Sequence, residues 1–201
     1  MFIRLSDSFY PLDSDQIRAE NPHTSFPSPM PLALDAYASV QAESRPVFDT
    51  VTQSCVEAAP MQINGVWTQQ WAITELPEEQ AAANLTASKA LKWEQIKAER
   101  DRRKEGGTLV SGKWFHSDRD SRIQQIGLVL MGASVPAVQW KTMDGSFVAM
   151  SQTLAGGIFA ATAALDMALF AAAETHNAAM QASGTPDSYD FSAGWPAHYT
   201  A

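Results

Sequence analysis

The sequence predicts an α+β protein: a small N-terminal β unit with an extended proline-rich arm, then a domain ordered helix, β-hairpin, helix, β-hairpin, long helix. Three observations predict it. Turn signals at Asn64-Gly65, Ser111-Gly112 and Asp144-Gly145 each sit between short runs of β-branched and aromatic residues. Residues 77–104 and 152–182 carry helix-forming composition with helix-type boundaries. Pro11, Pro22, Pro27, Pro29 and Pro31 crowd the N-terminal segment, where fixed φ and lost backbone donors favour extended chain.

The elements justify themselves in chain order. Residues 1–45 read as an arm, with room for one or two helical turns between Ser14 and Glu20, and with Phe9, Tyr10, Phe26 and Tyr37 as apolar handholds. Residues 46–76 read as a small antiparallel unit. Asn64-Gly65 suits a turn whose central residues both take positive φ, and Trp67, Trp71 and Ile73 then share one face. A helix begins near Pro77, with Glu78 and Glu79 at its positive end. It stops at Gly106-Gly107, after Arg100, Arg102, Arg103 and Lys104.

Ser111-Gly112 tips the first hairpin of the domain, and Ser117 reads as the N-cap of the next helix, with Asp120 in a capping-box position. Ile123, Ile126, Gly127 and Leu130 fall at i, i+3, i+4 and i+7, which predicts one buried stripe ended by Gly132 and Pro136. Asp144-Gly145 tips the second hairpin. The last helix, about Gln152 to Ala182, carries a stripe of Leu154, Ile158, Ala161, Leu165, Ala168, Leu169 and Ala172. This gives four segments: an extended N-terminal arm, 1–45; a small antiparallel β unit, 46–76; an α+β domain, 77–183; and an aromatic C-terminal tail, 184–201. The tail is expected to be loose, so that its deletion leaves the domain folded and weakens partner binding.

Composition bounds the function. The 201-residue chain has a net charge of −8, and its basic run 97–104 is interleaved with Glu99 and Asp101. That balance argues against nucleic-acid binding, which needs a positive footprint. Asp166 sits within the most apolar stretch, 154–173, and a charge there is costly in lipid. The expectation is a buried helix and no membrane insertion. The single cysteine, Cys55, cannot form an intrachain disulfide.

Chemistry-bearing patterns are weak throughout. His116-Ser117-Asp118 has the letters of a catalytic triad, but sequence neighbours point apart and triads assemble from distant segments. His23, His116, His176 and His198 lack metal-ligand spacing. Gly106-Gly107 and Gly156-Gly157 do not make a phosphate loop. No catalytic, cofactor-binding or metal-binding residue is expected, and the chain is read as a non-enzyme. Six tryptophans favour interfaces as well as cores. Tyr10, Phe26, Trp67, Trp71, Tyr189, Phe191, Trp195 and Tyr199 are therefore the candidate partner-binding residues.

The order of several motifs resembles a domain of unknown function found in tailed-phage and prophage tail proteins. They are Ile96-Lys-Ala-Glu-Arg-Asp-Arg-Arg103, Gly112-Lys-Trp-Phe115, Ser117-Asp118, Ser121-Arg-Ile-Gln124, Trp140-Lys-Thr-Met-Asp-Gly-Ser-Phe147 and the alanine-rich last helix. Tyr10-Pro-Leu12, Ile17-Arg18 and Asn21-Pro-His-Thr-Ser-Phe-Pro27 resemble the opening of tail-fibre-associated and fibre-assembly proteins. The resemblance implies a structural protein of the virion tail, made in the host cytoplasm and docked at the tail fibre or tail tip, with a part in host attachment. A tail-fibre assembly chaperone is the alternative. The partners implied are tail-fibre or tail-tip proteins, with a homo-oligomer as a further option; the resemblance brings no catalytic residues.

Overall fold

The computed structural model describes residues 1–134 and 138–200. The chain divides into two compact units, Met1–Asn84 and Leu85–Ala201. The fold class is α+β: among the described residues there are four α-helices and small antiparallel strand groups.

The first unit corrects the arm. Strands β1 (Phe2–Arg4), β2 (Ala33–Leu34) and β3 (Tyr37–Ser39) form an antiparallel sheet in the order β1-β3-β2. Phe2 and Leu12 exchange backbone hydrogen bonds of 2.8 and 2.9 Å, which ties the proline-rich chain back onto that sheet. Helix α1 (Ser14–Glu20) starts with a capping box: the Asp13 carboxylate accepts from the Gln16 backbone, and the Gln16 side chain accepts from the Asp13 N–H. Leu12, Ile17 and Tyr37 are buried together, with Phe2, Phe26, Met30 and Leu34 against them. A few well-spaced apolar side chains thus overcome the extended bias of the prolines, because burying each is worth about 1.5–3 kcal/mol.

Strands β4 (Gln53–Ile63) and β5 (Val66–Glu75) make a hairpin longer than the sequence suggested. Asn64 at φ 51° and Gly65 at φ 80° form its turn, the conformation expected of Asn-Gly. The register shifts between Ala58 and Met61, and this bulge accommodates Pro60, which cannot donate to a ladder.

The second unit holds most of helix α2 (Glu78–Lys104), the hairpin β6 (Thr108–Val110) and β7 (Lys113–Phe115), helix α3 (Arg119–Met131), the hairpin β8 (Gln139–Lys141) and β9 (Phe147–Ala149), and helix α4 (Gln152–Ala182). The order is the expected one. One core cluster gathers Phe115, Met150, Ala155 and Ile158, with Val110, Leu128, Val129, Trp140 and Leu154 packed around them. Thr108 and Thr162, both buried, satisfy each other across β6 and α4 at 3.1 Å. Gly107, at φ 91°, is required for a second reason: a Cβ there would lie 2.3 Å from the Met143 sulfur.

Ser117 and the stripe of α3 depart from expectation. Asp118 is the N-cap, accepting from the Ser121 N–H at 3.0 Å. Ser117 is wholly buried, and its hydroxyl accepts from the Gly107 N–H at 2.9 Å and donates to the Lys104 carbonyl at 2.6 Å. It therefore satisfies two backbone groups left open where α2 ends. Ile123, Ile126 and Leu130 are exposed by 59%, 42% and 82%. The helix ends at Gly132, followed by a short 3-10 turn, Gly132–Ser134; Pro136, expected to end it too, lies outside the described residues.

Helix α4 is long and apolar enough, by length and composition, to cross a membrane, and 22% of its most apolar window is buried. Its buried positions are Ala155, Ile158, Thr162, Leu169, Ala173 and Met180. Of the expected stripe, Ile158 and Leu169 are buried, Leu154, Ala161, Leu165 and Ala172 are half-buried, and Ala168 is exposed.

Candidate interaction surfaces

The residues expected to grip partners are largely engaged within their own units. In the first unit, Phe26 packs against the Leu12, Ile17 and Tyr37 cluster. The Tyr10 hydroxyl donates to Glu57, and burial together with that carboxylate pushes its pKa up to about 12. Trp67 and Trp71 are half-buried on one face of the β4–β5 hairpin. The Trp71 indole N–H donates to the Glu43 carbonyl at 3.1 Å, and the Arg45 guanidinium lies over its ring at 5.7 Å. On the opposite face Thr68 is buried, while Val56, Met61, Ile63 and Val66 are exposed by 54%, 61%, 50% and 48%.

The C-terminal tail is docked. Tyr189, Phe191 and Trp195 lie with Trp93 against the buried Ile96, Ala173 and Met180. His176 on α4 bridges Tyr189 and the Ala193 carbonyl, at 3.0 and 2.9 Å. A carbonyl can only accept, so Nε2 carries the proton and Nδ1 accepts from the tyrosine when the ring is neutral. Trp195 stacks beside the same imidazole at 5.0 Å, its indole N–H donates to the Phe191 carbonyl, and Arg103 lies over its ring. Tyr199 packs edge-on to Trp114, and its backbone N–H donates to the Gly106 carbonyl at 2.8 Å. These contacts dock residues 189–199 on the unit rather than leaving them a loose tail.

Electrostatics hold the frame of the unit. Arg122 grips Asp166 with two bonds of 2.6 and 3.0 Å and also donates to the Lys104 carbonyl at 2.9 Å. This explains the one charge in the apolar stretch of α4, and links α3, α4 and the end of α2 through one guanidinium. Glu99 accepts from Arg102 and Arg103, and those bonds, Arg102 first, bring its pKa down to about 2. Lys113 reaches from β7 to Asp144 in the second hairpin at 2.8 Å, and with Ser146 and Thr142 holds that carboxyl well below the usual range.

Helix α3 carries apolar side chains on two sides. Toward the protein it presents Arg122 and Gln125 together with Leu128 and Val129, which pack on the Phe115, Met150, Ala155 and Ile158 cluster; the Gln125 side chain, 1% exposed, donates to the His116 carbonyl at 2.8 Å. Toward solvent it presents Ile123, Ile126 and Leu130. A stripe three and four residues apart is how a helix meets another surface. Sequence reasoning placed this stripe in the core. The signal it passed over was Asp166: a carboxylate inside an apolar helix demands a cation, and Arg122 of α3 supplies it.

These surfaces and this fold define an α+β domain with exposed apolar faces and an internally latched C-terminus. The model of a domain of unknown function, DUF4376, matches residues 87–193, more than half of the chain, so the chain belongs to that family. No curated protein matches the chain, and no solved structure does.

Proposed function

We propose that this protein is a non-enzymatic structural component of a bacteriophage tail, docked at the tail fibre or tail tip with a part in host attachment. The motif order described above suggests the setting. The observation that carries a partner-binding role is the stripe Ile123, Ile126 and Leu130 of helix α3, which lies in solvent while Arg122, Gln125, Leu128 and Val129 hold the helix to the fold. Burying such a stripe favours a permanent neighbour, since large apolar side chains left in water gain about 25 cal/mol per Å² when covered. Fibre or tip proteins are the neighbours this reading names, with further copies of the chain as an additional contact.

Protein analysis of purified particles tests it. The chain is expected in the particle at a fixed ratio to fibre protein, and Ile126→Asp with Leu130→Asp should remove it from particles without lowering its own solubility. A chain abundant in the producing lysate yet absent from particles would overturn the virion reading in favour of the assembly chaperone.

A further inference from the structure

Two turns of this protein carry a residue pair able to react with itself. Asn64-Gly65 joins β4 to β5, and Asp144-Gly145 lies in the connection from β8 to β9. In each, the backbone nitrogen of the glycine can attack the side-chain carbonyl carbon before it and close a five-membered ring. Glycine matters because no Cβ crowds the attacking nitrogen. Whether the ring closes depends on what holds the two reacting groups, and there the two turns differ.

At Asp144-Gly145 both groups are tied. The Asp144 carboxylate accepts from the Lys113 ammonium at 2.8 Å, from the Thr142 hydroxyl at 2.6 Å, and from the Ser146 N–H and hydroxyl at 3.0 and 2.6 Å. These bonds, Lys113 first, hold its pKa below the usual range and keep it ionised, and a carboxylate is a poor electrophile. The Gly145 N–H donates to the Thr142 carbonyl at 2.9 Å. At Asn64-Gly65 neither group is tied. Among the described residues, the Asn64 amide and the Gly65 N–H have no hydrogen-bond partner. An amide is uncharged and stays open to attack, which is one reason asparagine is thermolabile. The turn and its flanking pair, Ile63 with Val66, are exposed, and a Cβ on Gly65 would meet nothing within 4 Å. Beyond the tip the hairpin is held, because Gln41 exchanges backbone bonds with Trp67 and Gln69 at 2.8 and 2.9 Å. The turn can therefore open while the rest of the hairpin stays paired.

We propose that Asn64 is a site of spontaneous deamidation that recasts the tip of the β4–β5 hairpin, and that Asp144-Gly145 is protected from the same chemistry by its own hydrogen bonds. The Gly65 nitrogen bonds to Cγ of Asn64, the Cγ–Nδ2 bond breaks, and ammonia leaves with the proton of the glycine N–H. Solvent water then opens the succinimide at either carbonyl and gives aspartate or isoaspartate. Both products add a negative charge to a chain whose net charge is −8. Aspartate keeps the turn, since Asp-Gly suits the same geometry. Isoaspartate puts one extra carbon into the main chain, so a two-residue turn no longer joins Ile63 to Val66 in register. The inference concerns this hairpin alone and does not rest on a place in a virion. The test follows the full chain, incubated at neutral pH, by peptide mass spectrometry, with an isoaspartyl methyltransferase marking isoaspartate. Asn64 should lose its amide ahead of Asn21, Asn84 and Asn177, with isoaspartate in place of Asn64 and none in place of Asp144. Asn64→Gln, which would need a six-membered ring, should abolish the methylation. In urea, isoaspartate should form in place of Asp144 as well, because Lys113, Thr142 and Ser146 no longer hold the carboxylate. An Asn64 that loses its amide in urea but not in the folded chain overturns the site, since the turn then protects it. Methylation that survives in Asn64→Gln overturns it too. Isoaspartate at Asp144 in the folded chain, or none there in urea, overturns protection by hydrogen bonds.

Discussion

Helix α3 and the C-terminal segment exchange the places that patterning assigns them. The stripe Ile123, Ile126, Leu130 has helix-core spacing and lies in solvent. The tail residues Tyr189, Phe191 and Trp195, scattered among glycine, proline and serine without periodicity, cover Ile96, Ala173 and Met180. The difference teaches what a pattern encodes. Spacing says which side chains share a face, while the availability of a partner inside the same chain decides whether that face is inward. Around α2 and α4 the aromatic tail arrives to fill the groove. On α3 the described residues leave the stripe in solvent, and the inward side is taken by the Arg122–Asp166 pair, Gln125, Leu128 and Val129.

The comparison can be broken most sharply at the tail. Deleting residues 184–201 should uncover Ile96 and Met180, both 0% exposed, and cost about 5 kcal/mol or more by loss of three aromatic contacts. That is comparable with the whole stability of a domain, so thermal unfolding should lose its cooperative transition. A truncated chain that melts like the full one would return the tail to the status of a loose arm. The next largest effect is expected of Arg122→Leu. It leaves the Asp166 carboxylate on an apolar helix and the Lys104 carbonyl short of a donor, a loss of about 2–3 kcal/mol in denaturant unfolding. Asp166→Asn with Arg122→Leu should recover part of it, and a double variant no better than the single would show that the pair contributes little.

Acid should act through Glu99. Its carboxyl in the folded state lies near 2 against an ordinary 4.5, so its contribution is fully present above 4.5 and is lost as the pH falls from there through about 2. Stability measured over that window should decline less steeply in Glu99→Gln, and parallel profiles would remove the Arg102 and Arg103 bonds from the account. The smallest effect should come from α3. Ile126→Ser and Leu130→Ser, at 42% and 82% exposure, should each change the stability of the isolated chain by no more than about 0.5 kcal/mol. A loss several times larger would mean that the stripe is already covered.

Much of the fold was legible because local chemistry dictated it. Asn64-Gly65 and Ser111-Gly112 both adopt positive φ at each turn residue, and Gly106-Gly107 ends α2 after its basic last turn. Asp13 and Gln16 cap α1 from within the proline-rich segment, although the prolines concealed that the segment folds. The candidate surfaces were less legible. Trp195 reads as an anchor for another molecule until His176 and Arg103, remote in sequence, are brought beside it.

The sequence by itself determined the class of the fold, the order of its helices and hairpins, the turns, and the residues that share each helical face, because these follow from backbone sterics and periodicity within a few residues. Only the tertiary structure decided which faces are covered: that Tyr189, Phe191 and Trp195 close over α2 and α4, that Ser117 is a buried tie rather than a cap, and that α3 turns its isoleucines outward. Each of those outcomes depends on contacts between distant parts of the chain, where burying one surface removes it from competition for another.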